Sequence, residues 1–184
     1  MNYYILQQDP RIMDQAYIMD FPETTNPLDL IDGKKLQETA PLRLHLSPRS
    51  GKFRGCIIGG LGTLFHERFI AELNRIGIDN IQYFPVELTN PEGDIEHSYS
   101  LINIIGLLEA VNEKESVIDP MPGGLRGRLC QFKIDPEKAK GHRIFRILEA
   151  PSLIIIDETL RENLVAFGPA GVWMLPTEHY DGWG

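Results

Sequence analysis

The sequence predicts a single α+β domain of 184 residues, and three observations carry that prediction. Two segments, His66 to Glu87 and Asp157 to Glu178, align without a gap, matching Glu67 with Glu158, Leu73 with Leu164, Gly77 with Gly168, Ile81 with Val172 and Pro85 with Pro176. Each follows a short apolar run, Cys56-Ile57-Ile58 or Leu153 to Ile156, so each reads as strand–helix–strand. Between them, His97 to Ser116 is a long apolar stretch that ends abruptly in charge. The expected plan is two pseudo-repeated units around this central buried segment. Residues 1–50 form an irregular N-terminal part with short strands, 51–90 the first unit, and 91–184 the central segment and second unit.

In chain order, Tyr3 to Leu6 reads as a first strand closed by Asp9-Pro10, and Asp9 to Asp32 as loops. Leu42, Leu44 and Leu46 alternate with Arg43 and His45, the period of a half-buried strand. Within the units, Gly77 and Gly168 are placed to end the helices in the left-handed conformation, and Pro85 and Pro176 to end the second strands. Asp157 suits a helix N-cap. In the central stretch Leu101, Ile104, Ile105, Leu108 and Val111 share one helical face. Asn103 and Gly106 are poor helix residues, so an extended start from Tyr99 to Ile105 turning into a short helix is the alternative. Pro120 to Gly124 reads as a loop, Leu129 to Ile134 and His142 to Ile147 as strands, and His179 to Gly184 as a surface tail.

Composition narrows the function classes. Hydrophobic residues make up 42% and charged residues 24%, the balance of a folded domain rather than a disordered chain. A formal net charge of -8 argues against general nucleic-acid binding, which needs clustered Lys and Arg. No run approaches the roughly 20 apolar residues of a membrane helix, and the N-terminal residues do not read as a secretory signal. The expectation is a cytoplasmic protein with no nucleic-acid or membrane partner. Two cysteines, Cys56 and Cys130, lie among apolar neighbours without metal-ligand spacing, and the five histidines share none either. No metal or cofactor is expected.

Candidate reactive groups have simpler structural readings. Gly59-Gly60-Leu61-Gly62 sits where a phosphate-cradling loop would, but neither a complete G-x-G-x-x-G nor a Gly-Lys-Ser follows, so it reads as a turn. Asp157-Glu158 is accounted for as a helix start, and Arg126 and Arg128 as a solvated loop. Cys56 with a histidine such as His66 would make a nucleophilic pair only if folding joined them. The contact candidates are acids without a basic neighbour in the acidic runs, Asp14, Asp20, Glu23, Asp29 and Asp32 or the Glu92, Asp94, Glu96 turn, and the terminal aromatics Tyr180 and Trp183.

Tyr3-Tyr4, the stretch from Asn103 to Ser116, Ile144-Phe145-Arg146 and the segment from Ser152 to Pro176 together resemble a family of bacterial immunity proteins from polymorphic-toxin systems, named after a predicted Myxococcus immunity domain. The order and spacing carry the likeness, which is strongest over the last ninety or so residues. The glycine run before the first helix and the proline-rich 120–124 loop depart from the pattern. The resemblance implies a non-catalytic protein that binds and neutralises a cognate toxin domain by occlusion, and it brings no catalytic residues with it. Two other classes stand beside it: a small cytoplasmic enzyme with a cleft near Cys56 and His66, and a structural protein that self-associates as a homodimer.

Overall fold

Residues 1–19, 21, 26–37, 41–119 and 127–183 are described by a computed structural model. In chain order they form β1 (Tyr3–Gln8), β2 (Tyr17–Ile18), β3 (Leu42–His45), β4 (Ile57–Gly60), β5 (Leu64–His66), α1 (Glu67–Arg75), β6 (Ile81–Thr89), β7 (Ile95–Glu96) and β8 (Tyr99–Ile104). There follow β9 (Leu107–Leu108), β10 (Ile118–Asp119), β11 (Arg128–Leu129), β12 (Ile144–Ile147), β13 (Ala150–Asp157), α2 (Glu158–Phe167) and β14 (Val172–Pro176). The first sheet has the order β14-β1-β13-β12-β9, and the second runs β2-β4-β5-β8-β6-β3 with β7 also on β6. A two-stranded ribbon, β10-β11, stands apart.

Both helices start and stop for local reasons. The His66 Nδ1 accepts the Arg68 N–H at the start of α1, and the Asp157 Oδ1 accepts the Leu160 N–H at 2.6 Å at the start of α2. Gly77 (φ +81°) and Gly168 (φ +69°) take the left-handed turn that ends each helix. Phe69 with Leu73, and Leu160 with Leu164, are i, i+4 pairs on one face, and all four are fully buried. They meet Leu6, Ile154 and Ile156 of the first sheet and Ile57, Ile102 and Ile104 of the second in one shared core. The outer faces have cores of their own. Ile5, Phe145 and Ile155 pack with Phe132 and Tyr180, while Leu44, Val86 and Leu101 pack with Ile18 and Leu30.

Three expectations are corrected. The His97–Ser116 stretch contains no α-helix: Tyr99 to Ile104 is a central strand, and the chain then crosses at Gly106 to become β9 of the first sheet. Tyr99 and Leu101 point into one core and Ile102 and Ile104 into another, so both strand faces are apolar and mimic a broad helical stripe. The expected extended start is seen, and a single turn of 3-10 helix, Glu113–Glu115, follows in place of the short α-helix. Second, β6 runs through Pro85 to Thr89 instead of ending there. Pro85 falls where β6 changes neighbours, from β8 (through Pro85) to β3 (from Val86), so a missing N–H costs little. Third, Gly59 to Gly62 joins β4 to β5 and does not precede a helix, so no phosphate cradle forms there. A Cβ on Gly60 (φ +136°) would run into the Ile18 carbonyl oxygen. The Leu129–Ile134 alternation shortens to β11 and a single bridge from Ile134 to Val111. The 120–124 loop and Arg126 lie outside the described residues.

Candidate functional site

The predicted acidic residues that are described lie on separate segments of the fold. Asp14 is exposed beside Phe53, whose N–H bonds the Asp14 carbonyl. Asp29 and Asp32 are exposed around Gly33, whose carbonyl takes the Gly106 N–H beyond the far end of β8. Asp20 and Glu23 lie outside the described residues. Glu92 and Asp94 are exposed at the tip of the β6–β7 hairpin, where Asp94 and Asn90 exchange two hydrogen bonds that hold the turn. Two acids expected without basic partners have them: Asp32 meets Lys34 at 3.4 Å, and Glu96 meets Arg54 at 2.7 Å while accepting the Ser98 hydroxyl. That leaves Asp14, Asp29, Glu92 and Asp94 exposed with no ion pair among the described residues.

The terminal aromatics part company. Tyr180 is 8% exposed, packed edge-on against Phe132 at 5.8 Å, so it anchors the tail rather than offering a surface contact. Trp183 is 72% exposed with the Arg128 guanidinium 4.5 Å above its ring. Arg128 in turn holds Asp119 at 2.8 Å, and the Cys130 thiol reaches Asp119 and the Asp181 carbonyl. The tail is thus tied down on both sides of an indole that faces solvent.

The Cys56 thiol and the His66 imidazole share no hydrogen bond among the described residues. Burial pushes the Cys56 thiol up, away from the thiolate a nucleophile needs. The His66 Nδ1 is occupied by the α1 cap and its ring stacks edge-on against Tyr99 at 5.0 Å. Among the described residues no group of three or more His, Cys, Asp and Glu is placed to hold a metal ion.

A cleft lies where β1 parts from β13. The two strands pair from Tyr3 to Ile5 only, and beyond that Leu6 to Gln8 and Ser152 to Ile154 line a cleft of about 450 Å³ floored by Ile57 and Gly59. Gln8 clasps the two sheets across it, donating to the Ala16 carbonyl at 2.8 Å and accepting the Gly59 N–H at 3.0 Å. No histidine, cysteine or carboxylate lines this cleft among the described residues, so the Thr63 and Ser152 hydroxyls on its wall have no side-chain base beside them there.

Two buried polar side chains stand out that sequence reasoning missed. Asn103 is fully buried and donates to the Lys34 carbonyl and Gln82 Oε1, pinning the 34–36 segment to β8. Arg146, 3% exposed, donates from Nη1 to the Pro151 and Ser152 carbonyls, and its Nε has no partner. Burial lowers its pKa to about 10, which leaves the guanidinium charged at neutral pH. A polar residue interrupting an apolar strand was the available signal in both cases.

The fold and its surface thus define a sheet-rich α+β domain with two α-helices among the described residues, exposed acids and a presented indole. The sequence matches the immunity protein family Imm11 over residues 3–179, and the chain belongs to that family. No curated protein matches it. No helix among the described residues is long and apolar enough to cross a membrane.

Proposed function

We propose that the protein neutralises a cognate bacterial toxin domain by binding it and covering its working surface, without chemistry of its own, in the cytoplasm of the producing cell. Membership of an immunity family over residues 3–179 is the observation that carries this reading. The arrangement around Cys56 and His66 supports occlusion over catalysis, because neither group is free to act. The contact surface we infer joins Trp183, as the aromatic anchor, with exposed carboxylates drawn from Asp14, Asp29, Asp32, Glu92, Asp94 and Glu96. Asp20 and Glu23 belong to the same acidic set. We also read the two strand–helix–strand units as repeats of one plan. In each, two strands flank an antiparallel third, β8 between β5 and β6, and β1 between β13 and β14.

The test is co-expression with the toxin domain encoded next to this gene. Growth should be rescued and the two chains should co-elute as a stoichiometric complex. Rescue with no complex, or with the toxin covalently altered, contradicts occlusion. Association should slow as salt rises from 50 to about 500 mM if the acids steer a basic toxin, and a salt-independent rate removes the steering component.

A further inference from the structure

The glycine hairpin of the second sheet and the β12–β13 bulge of the first enclose a cavity of about 90 Å³, walled by Gly60, Gly62, Thr63, Ile102, Arg146 and Ser152. Among the described residues Arg146 is the only charged one in its lining, and it is buried with two neutral carbonyls as its hydrogen-bond acceptors. A guanidinium removed from water without a counter-charge is costly. Its Nε is left with no acceptor at all among the described residues. Thr63 and Ser152 add two hydroxyls to the same wall. The space is far below the roughly 300 Å³ at which small-molecule pockets begin, so it admits a group of a few heavy atoms only. Leu61, 55% exposed between the two glycines, marks a short path to solvent.

We propose that this cavity is a site for one small oxyanion, a carboxylate or phosphate group, held by the Arg146 guanidinium and the hydroxyls of Thr63 and Ser152. Planar, multi-donor guanidinium is suited to such groups, and an anion there supplies the counter-charge the fold does not. The site does not depend on the toxin reading, since it concerns what completes the junction between the sheets.

The experiment is NMR titration of the full chain at pH 7.5 and constant ionic strength, replacing chloride with acetate in one arm and with inorganic phosphate in another. The expected result is a saturable shift of the Gly60, Gly62 and Thr63 amides by at least one of the two anions. Acetate alone identifies a carboxylate site, phosphate alone a phosphate site, and both identify their shared chemistry. Thr63→Val should weaken the apparent Kd about tenfold, as loss of one hydrogen bond to a charged group does, and Arg146→Met should abolish saturation. Thr63→Val keeps the Thr63 main chain and its bond to Ile102, so it tests the site even if Arg146→Met does not fold. Shifts that stay linear in both anions, or that are identical in wild type and Thr63→Val, overturn the proposal.

Discussion

The two strand–helix–strand units use the same order of elements for different ends. In the first, β6 is paired on both sides and α1 is sealed, with Phe69 and Leu73 fully buried and Glu72 covered by Arg75 at 2.6 Å. In the second, β14 is the edge of its sheet with every residue half-buried, and α2 leaves Val165 and Phe167 53% and 38% exposed. The caps differ in the opposite sense. Asp157 is 5% exposed with the Arg143 guanidinium 3.9 Å away, whereas the His66 cap is an exposed imidazole contact. The same order of elements gives an interior scaffold where the closing strand has neighbours, and an outer wall where that strand is an edge.

The sharpest way to break this comparison is to empty the core beneath each helix. Phe69→Ala should cost about 4 kcal/mol and Leu164→Ala about 3 kcal/mol by urea unfolding, since the larger ring leaves the larger hole. A larger loss at Leu164 would reverse the assignment of scaffold and wall. Next come the caps: Asp157→Ala should cost about 2 kcal/mol and His66→Ala about 0.5 kcal/mol, measured the same way. Equal losses would mean that burial of the cap does not matter here. Outside both units, Trp183→Ala should change stability by less than about 0.5 kcal/mol yet weaken the toxin complex about tenfold or more, read by calorimetry. Unchanged affinity removes Trp183 from the contact surface. The smallest effect is chemical. At pH 8 Cys56 should alkylate more slowly than free cysteine, because its raised pKa leaves less thiolate, and the gap should narrow as pH rises.

Much of the fold was readable because its signals are local. The glycines after both helices, the Asp157 cap, and the strands at Tyr3, Leu42 and Ile144 each depend on a few neighbouring residues. The readings that failed depend on partners far along the chain. The Tyr99 strand is apolar on both faces because two cores receive it, and single-sequence periodicity cannot separate that from a broad helical face. Tyr180 looked terminal and exposed until Phe132 was seen to cover it. Glu96 has no basic neighbour in sequence, yet Arg54 reaches it from 42 residues away. The cleft and the Arg146 cavity both lie between elements that meet only in the folded chain, so no stretch of sequence announces them.

The position of β1 has a consequence for the order of assembly. It lies between β13 and β14, pairing Tyr3 with Asp157 and Gln8 with Val172, although both partners follow it by about 150 residues or more in the sequence. Every strand of the second sheet falls within residues 17–104, so that sheet can close while the C-terminal third is still unmade. The six-residue β1 meanwhile has no strand to pair with until translation has passed residue 150. Nascent chains stalled near residue 140 should therefore be cut by protease around Tyr3 to Gln8 and protected around Tyr99 to Ile104. The first sheet therefore waits for β13 and β14 before β1 can take its place between them.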